Sequence, residues 1–409
     1  MNVLLFASDS KYFKYLNPIH KKLIDRNHNS FFLFSEENMT QFPTHNMGNY
    51  KCSCNFEYDF KSDIISKSLN IPIPFIPDYL IIARERWQPE QSIIQEFKER
   101  FNSKIVLIEV NSQFNNVIES RLEMISRTKY PQNMVDIIFD HSNFIVNTRK
   151  QALNWNKWNN SYVVGNPCYD DLDTEVKDKS IYEKYNIDKT KKQILFFSLI
   201  NMDRPIALKL LENLAKKCGD EYQIFYKPFS GEPFRGDWHD DFHPKFIVDN
   251  VTVIYDHLDL FPMYNICDIH VGCISSVVYP SLLLNKKVIN INNFCKYLDK
   301  GNDIEVYIKE SYSEGGGGDG SAQFWMRVHK LNNLQEFEDL VDPKRIKIFK
   351  INNQHIKSLI SECTYDYDYD LNFLKDNTPK DYSKLLNVFD QYNDKNASER
   401  IVKKLEGKL

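Results

Sequence analysis

The feature that most constrains this chain is the alternation of short apolar runs with amphipathic helical patterns. Such alternation is typical of a parallel sheet with helices on both faces. In the first part of the chain the predicted strands are Val3–Ala7, Ser30–Phe34, Tyr79–Ala83, Ile105–Ile108, Asn143–Val146 and Tyr162–Val164. The sequence therefore predicts an α/β fold built on a mostly parallel, doubly wound sheet.

A second series of the same kind follows an interruption. Gly165-Asn166-Pro167 breaks the pattern, and residues 168–192 are rich in charge. The later predicted strands are Gln193–Leu199, Gln223–Tyr226, Val251–Ile254, Ile269–Val271 and Val288–Ile291. Because a domain averages roughly 150 residues, a chain of 409 residues fits two Rossmann-like βα domains that face each other across a cleft.

These observations set the expected domain bounds. Residues 1–167 form an N-terminal Rossmann-like domain and residues 168–192 form a linker. Residues 193–380 form a C-terminal Rossmann-like domain, and residues 381–409 form terminal helices that are free to pack back on the first domain.

Charge and hydropathy exclude several classes of protein. The net charge of −4 and the lack of a sustained basic run argue against nucleic-acid binding. No apolar run approaches the roughly 18 residues that span a bilayer, and the first apolar run lacks the basic flank of a signal peptide. The eight cysteines are scattered, which favours a reduced, cytoplasmic protein.

Three common motifs are also missing. The chain has no Gly-x-Gly-x-x-Gly after its first strand, no Gly-x-x-x-x-Gly-Lys-Ser/Thr and no Gly-x-Ser-x-Gly. Their absence disfavours dinucleotide oxidoreductases, P-loop NTPases and α/β-hydrolases, respectively.

The stretch Asp268–Asn292 suggests an anion site. It reads as a strand, a turn of small residues, a helix and a second strand. Ser275 and Ser276 are good N-cap residues, and the N–H groups and dipole at a helix N-terminus favour a phosphate. A capped helix without any ligand is an equally good interpretation of these residues alone.

Two cations follow strands of the second domain, where loops meet the carboxyl edge of the sheet. Arg204 comes after the first of these strands, and Lys227 comes after Gln223–Tyr226. Together with the serine turn they could hold a diphosphate and stabilise its charge as it leaves. Taken singly, each is more simply a solvated surface charge.

Carboxylates occupy the equivalent positions of the first domain. Asp9, Glu85 and Glu109 each follow a predicted strand, and any of them could accept the proton of an attacking hydroxyl. Glu109 is the first choice because it ends an apolar run that should bury it. Glu85 lies between Arg84 and Arg86, so a local salt bridge is its simpler role.

Two polar segments and one flexible segment give weaker signals. The segment His239–His243 contains metal-ligand residue types in a polar loop, and Asp366, Asp368 and Asp370 alternate with Tyr. Neither has the spacing of an established metal site, so no metal is expected. Ser313–Ser321 is rich in Gly, and a surface linker is favoured over a loop that closes on a ligand.

Two motifs resemble those of a known enzyme group. Asp268–Asn292 contains Asp-Ile-x-x-Gly-x-x-Ser-Ser-Val-x-Tyr, and Val164–Asp170 contains Gly-Asn-Pro-x-x-Asp. The first resembles the donor-binding segment of GT-B type glycosyltransferases of bacterial surface-polysaccharide biosynthesis and of the related CDP-glycerol polyol-phosphate transferases. The second resembles the domain crossing of these enzymes and of UDP-N-acetylglucosamine 2-epimerases.

The resemblance implies a metal-independent glycosyltransferase that needs no cofactor and uses a nucleotide-sugar donor. It further implies that Ser275 and Ser276 hold the diphosphate, with help from Lys227 or Arg204. The acceptor would be a glycan or a lipid-linked molecule, with room for peripheral membrane contact. An epimerase or polyol-phosphate transferase of the same fold, and a non-enzymatic nucleotide-sugar-binding protein, are the alternatives.

The sequence departs from these families at two places. Tyr279-Pro280-Ser281 stands where many GT-B enzymes carry a ribose-binding Glu. Lys227-Pro228-Phe229 stands where the polyol-phosphate enzymes usually show His-Pro. The identity of the nucleotide therefore stays open.

Overall fold

The fold was obtained as a computed structural model, and it consists of two parallel sheets with helices packed on them. The structure describes residues 1–7, 10–35, 53–54, 74–83, 88–109, 135–147, 160–172, 176, 179–197, 204–227, 251–254, 260–272, 278–291, 355 and 358–408.

The first sheet has seven strands in the described part of the chain, in the spatial order β3-β2-β1-β4-β5-β6-β7. All neighbouring strands are parallel. The strands are β1 (Asn2–Ala7), β2 (Asn29–Ser35), β3 (Ser53–Cys54), β4 (Tyr79–Ile82), β5 (Lys104–Ile108), β6 (Ile137–Asp140) and β7 (Ser161–Val163). The strand order reverses beside β1, which makes its carboxyl end a switch point where such folds bind ligands.

Helices cover both faces of this sheet because its strands are apolar on both sides. Helix α1 (Ser10–Asp25) packs on one face through residues spaced by four, including Tyr15, Ile19 and Leu23. Helix α2 (Gln88–Phe101) covers the other face. Within β1, alternate residues contribute to the two cores, as the two-residue period of a strand requires.

The second sheet has six strands among the described residues, in the order β10-β9-β8-β11-β12-β13, and its neighbouring strands are likewise parallel. The strands are β8 (Lys192–Phe197), β9 (Tyr222–Lys227), β10 (Val251–Val253), β11 (Ile269–Gly272), β12 (Lys287–Asn290) and β13 (Tyr365–Asp366). The accompanying helices are α3 (Ser180–Lys184), α4 (Arg204–Cys218), α5 (Leu260–Ile266) and α6 (Tyr279–Leu283).

The chain passes between the two sheets at two places. The first crossing follows β7 and comprises residues 164–172, and the second comprises residues 389–397, from the end of helix α7 (Ser383–Phe389) to the start of helix α8 (Ala397–Leu405). Gly165 adopts φ +88°, and a Cβ atom there would lie 2.7 Å from Oδ1 of Asp390. Only glycine fits this approach, because both the backbone angle and the space exclude a side chain.

Hydrogen bonds join the two crossings. The backbone N–H of Asn166 donates to Asp390 over 3.0 Å, and Nε of Arg400 donates to the carbonyl of Val164 over 2.7 Å. Asp170 caps α8 by accepting the backbone N–H groups of Ala397 (3.1 Å) and Ser398 (2.6 Å). The crossings therefore form one connected unit.

Helix α8 then packs on α1 of the first sheet's layer. Arg26, just after α1, pairs with Glu399 and with Glu406, the latter at 2.5 Å. His28 Nε2 lies 2.8 Å from Glu406, and the hydroxyl of Tyr79 donates to the carbonyl of Leu405 over 3.3 Å. The end of the chain thus contacts the element that follows its first strand.

Most predicted strands and helices that fall on described residues are confirmed to within a few residues at their ends. One was wrong: the predicted strand Asn143–Val146 is helical, at residues 143–147, and the strand is β6, which ends before it. Ser142 explains the difference, because its Oγ accepts the N–H of Ile145 over 3.4 Å and so caps a helix. The expected cap was also wrong: α6 begins at Tyr279 and its N-cap is Val278, so Ser275 and Ser276 do not cap this helix.

Within the described ranges, no helix has the length and apolar content needed to cross a membrane.

Candidate functional site

The candidate site begins at the carboxyl edge of the first sheet with Glu109. This residue directly follows β5, and its backbone N–H donates to the carbonyl of Phe139 over 2.9 Å, which extends the β5–β6 pairing by one residue. Its side chain is only 2% exposed. A carboxylate at the end of a strand is thereby held inside the protein, close enough to Tyr15 to raise the pKa of that phenol.

Tyr15 and His141 lie beside this carboxylate. Tyr15 projects from the second turn of α1, and His141 directly follows β6. Their rings stack with centroids 6.3 Å apart and planes 7° apart, and both side chains are buried. Burial raises the pKa of Tyr15 to about 12, although Lys14 opposes the shift. The phenol is therefore protonated at neutral pH and can donate a hydrogen bond.

Lys14 brings a positive charge to the same place. Its side chain is partly exposed and lies near Tyr15 and Cys168. Burial acts to lower the pKa of Lys14, but its interactions with Tyr15 and Cys168 outweigh burial and the net shift is upward. Lys14 is thus an ammonium group at neutral pH. Burial raises the pKa of Cys168 to about 11, so that thiol is neutral and not a nucleophile.

A row of aromatic side chains leads from this edge to the second sheet. Tyr169 of the first crossing lies near both Tyr15 and Tyr264, since each contributes to raising its pKa, although burial is the main cause. Tyr264 of α5 stacks with Phe197, the last residue of β8, with ring centroids 5.7 Å apart. The buried row therefore connects Glu109 to the carboxyl edge of the second sheet.

Lys227 lies at the carboxyl edge of the second sheet, and the position of its side chain is described by the structure. It is the last residue of β9, it is 5% exposed, and its Nζ donates to the carbonyl of Ile254 over 3.2 Å. Taking an ammonium group out of water is costly unless it is paired. An ammonium group held at the carboxyl edge of a parallel sheet is suited to binding an anion there.

His270 is also buried near this edge, but its surroundings differ from those of His141. It lies within β11, where Nδ1 contacts Oγ of Ser281 and Nε2 lies 3.2 Å from the carbonyl of Cys267. Burial lowers the pKa of His270 to about 3. His270 is consequently a neutral imidazole that ties β11 to α6, and it is not placed to exchange protons with a substrate.

Two of the predicted site residues can be located with their side chains, Glu109 and Lys227, and they end strands of different sheets. Arg204 begins α4, but its side chain lies outside the described residues. Four predicted site residues and two predicted loops also lie outside the described residues: Asp9, Glu85, Ser275, Ser276, His239–His243 and Ser313–Ser321. Among the side chains that the structure describes, no group of three or more His, Cys, Asp or Glu could hold a metal ion.

Sequence analysis missed Lys14, Tyr15 and His141. Lys14 and Tyr15 had a usable signal, because they lie in the second turn of the helix that follows the first strand, at the switch point of the sheet. His141 was missed because a strand was predicted at Asn143–Val146, whereas the observed strand, β6, ends directly before His141. With β6 at its observed position, His141 directly follows the strand that pairs with β5, and Glu109 directly follows β5.

Comparison with solved structures shows the fold. The UDP-GlcNAc 2-epimerase from Neisseria meningitidis, bound to UDP-GlcNAc, is 13% identical with a TM-score of 0.51, and the match covers 100% of both chains. MnaA from S. aureus, in a structure with UDP, is 12% identical with a TM-score of 0.52, over 100% of this chain and 98% of that one. The wall teichoic acid polymerase TagF is 14% identical with a TM-score of 0.45, over 88% of each chain.

The two matches with a TM-score above 0.5 show a two-domain, Rossmann-like GT-B fold and confirm, for the fold alone, the resemblance seen in the sequence. No family model and no curated protein sequence matches the chain.

Proposed function

We propose that this protein is a glycosyltransferase that moves a sugar from a nucleotide-activated donor to an acceptor hydroxyl. The observation that carries the proposal is the buried carboxylate of Glu109, which ends a strand of the first sheet and is connected through Tyr15 to the edge of the second. In a fold of this type, ligands bind between such carboxyl edges.

In the proposed reaction, Glu109 accepts the proton of the acceptor hydroxyl while the oxygen attacks the anomeric carbon of the donor. The bond from that carbon to the donor phosphate breaks, and the electron pair leaves with the nucleotide diphosphate. Asp9 and Glu85 are the alternative bases. A positioned carboxylate of this kind contributes typically about 10²–10⁴-fold to the rate.

The second domain stabilises the charge of the leaving group in this scheme. Lys227 supplies a buried ammonium group, Ser275 and Ser276 supply hydroxyl donors from the turn after β11, and Arg204 is a further cation. Lys14 adds a positive charge from the opposite domain. The proposal uses no metal and no cofactor, because these groups can neutralise a diphosphate on their own.

The comparisons support the substrate class. The N. meningitidis epimerase binds UDP-GlcNAc and MnaA binds UDP, in structures that match this chain over its whole length. We infer a nucleotide sugar as donor and a glycan or lipid-linked molecule as acceptor, in a cytoplasmic enzyme that can touch a membrane peripherally.

A panel of nucleotide sugars tests the proposal. Thermal shift with UDP-, CDP-, GDP- and dTDP-linked donors should reveal at least one that raises the melting temperature, because a ligand that binds only the folded state stabilises it. That donor should then be consumed in an acceptor screen. Replacing Ser275 and Ser276 together by Ala should weaken its binding and leave the unfolding temperature of the free protein unchanged. A wild-type protein that binds and turns over none of the donors would refute the proposal.

An epimerase is the second candidate, because two of the structural matches with a TM-score above 0.5 are UDP-N-acetylglucosamine 2-epimerases. An epimerase would convert the donor with no acceptor present, and product analysis without acceptor separates the two reactions. In a protein that only binds nucleotide sugars, Glu109→Gln would leave every measured activity unchanged.

A further inference from the structure

Tyr279 occupies a position that neither the proposed base nor the proposed phosphate site explains. It is the first residue of α6 in the second domain, directly after the turn predicted to bind the donor phosphate. The side chain is fully buried. Burial raises its pKa well above the ordinary value, so the phenol is protonated and acts as a donor.

The side chain of Tyr279 contacts both places where the chain passes between the domains. Its ring lies against Tyr169 of the first crossing, with centroids 4.5 Å apart, and against Phe389 at the start of the second, at 5.4 Å. Its hydroxyl donates to Oδ1 of Asn393, in the second crossing, over 2.7 Å. The side chain of Tyr279 therefore holds two separate segments of the chain, and these segments determine the orientation of one sheet relative to the other.

The partner amide is itself held in place. The backbone N–H of Asn393 donates to Asp390 over 3.2 Å, and its side-chain amide donates to Asn387 over 3.1 Å. Asp390 also accepts the N–H of Asn166. The two crossings are therefore joined directly by this hydrogen bond as well as through the side chain of Tyr279. Loss of the Tyr279 hydroxyl would leave a held acceptor without its donor.

The buried core around Tyr279 extends towards the proposed base. Tyr169, which Tyr279 contacts, belongs to the same buried core as Tyr15, and Glu109 is near enough to Tyr15 to raise its pKa. A change in the angle between the domains at Tyr279 would therefore displace the base relative to the second sheet's edge. Displacing a reacting group by about 1 Å lowers rates by about 10²-fold.

We propose that Tyr279 is a positioning residue that sets the angle between the two domains, so that the base on the first sheet meets the donor on the second. Its catalytic consequence rests on the proposed glycosyltransferase function, whereas its effect on the domain angle does not. Although Tyr279 follows the predicted phosphate turn, its side chain is fully buried against the two crossings, so we expect it to act on turnover more than on donor affinity.

The test uses the full chain, labelled with a donor dye and an acceptor dye at Glu99 of α2 and Lys216 of α4, which are both exposed. The dyes are attached to unnatural amino acids at these two positions, so that the native cysteines are not labelled. Single-molecule energy transfer gives the interdomain distance distribution without and with UDP. Tyr279→Phe removes only the hydroxyl. Tyr367→Phe is the matched control, because that buried phenol donates to the carbonyl of Leu210 over 2.9 Å within the second domain's own core.

We expect Tyr279→Phe to broaden the distance distribution of the free protein and to lower kcat about tenfold, which corresponds to about 1.4 kcal/mol in the barrier. The donor KM should change less than twofold. Tyr367→Phe should lower the melting temperature by a similar amount and leave distances and kcat unchanged.

A distance distribution of Tyr279→Phe that coincides with the wild-type distribution would overturn the proposal, whatever the change in melting temperature. A wild-type protein without nucleotide binding or turnover would refute the glycosyltransferase function instead. The distances of the free proteins would still decide the role of Tyr279.

Discussion

The carboxyl edges of the two sheets are built from the same strand-and-helix unit but hold their polar groups differently. At the first edge, Glu109 and His141 come directly after strands β5 and β6, beside Tyr15. At the second edge, His270 lies inside β11 and is bonded to groups of its own domain. Two histidines of equal burial thus have different surroundings, and their position relative to the strand end distinguishes them.

The two edges also differ in charge. The first offers a buried carboxylate and the second a buried ammonium group, Lys227. A base and an anion-binding group are what a group transfer from a phosphate-activated donor needs. Under the proposed function, proton transfer belongs to the first sheet and leaving-group stabilisation to the second, and the following variants test that division.

Glu109→Gln should have the largest effect. It keeps the size of the side chain and removes its ability to accept a proton, so kcat should fall about 10²–10⁴-fold with little change in donor binding. Steady-state kinetics and donor titration measure the two quantities. Glu99→Gln on the exposed face of α2 is the matched control. Unchanged kcat in Glu109→Gln would move the base to Asp9 or Glu85.

Lys227→Met should have the next largest effect and should act on binding. Methionine keeps much of the buried stem, but the charge and the hydrogen bond to Ile254 are lost. Hydrogen bonds to charged groups contribute about 1.5–3 kcal/mol, so donor affinity should weaken about 10–100-fold. Calorimetric titration of wild type, Lys227→Met and the exposed control Lys216→Met measures this. Equal affinity in all three proteins would make Lys227 a purely structural cation.

Ser281→Ala tests the assignment of His270 to structure. The change removes the hydroxyl that contacts Nδ1 and leaves a buried nitrogen without its partner, which costs about 1–3 kcal/mol in the free energy of unfolding. Donor binding and kcat should be unaffected. Denaturant unfolding and kinetics are compared with Ser383→Ala, an exposed serine. A loss of activity at wild-type stability would give His270 a role in catalysis that we do not assign to it.

Asp170→Asn should have the smallest effect, visible as a pH dependence. Burial raises the pKa of Asp170 from 3.8 to about 6, against the opposing hydrogen bonds from Ser398 and Ala397. The folded protein therefore keeps this proton between about pH 4 and 6 when the unfolded chain has lost it, so this group's stabilising contribution falls as the pH rises through that window.

Asparagine caps a helix about as well as aspartate but does not titrate. The melting temperature of wild type minus that of Asp170→Asn should thus be higher at pH 4 than at pH 7, by about 2–4 °C for an effect of about 1 kcal/mol. A difference that is constant from pH 4 to pH 7 contradicts this assignment.

The sequence was sufficient to predict the class of the fold and most of its elements. Fully buried parallel strands read as continuous apolar runs, and the chain shows them at nearly every observed position. The error at Asn143–Val146 arose because an apolar run of this length fits a buried helix as well as a strand. The cap at Ser142 that decides between them was not recognised.

Only part of the candidate site could be chosen from the sequence. Glu109 and Lys227 were chosen because a charged residue at the end of an apolar run is conspicuous in a sequence; the structure buries both at strand ends, and their roles stay predictions. Tyr15 and Tyr279 were not chosen, since an aromatic residue on a helix reads as core, and their roles depend on contacts with segments more than a hundred residues away. Patterns within one element cannot report such contacts.

The packing of α8 on α1 has a consequence for the order of events during synthesis. Arg26 and Glu406 are 380 residues apart in the chain, yet they form one ion pair. At a translation rate of about 5–20 residues per second, the ribosome needs roughly 20–75 seconds to supply the second partner after the first. For that time the nascent first domain exposes the surface of α1 that α8 later covers, and this surface is where chaperones would be expected to bind it.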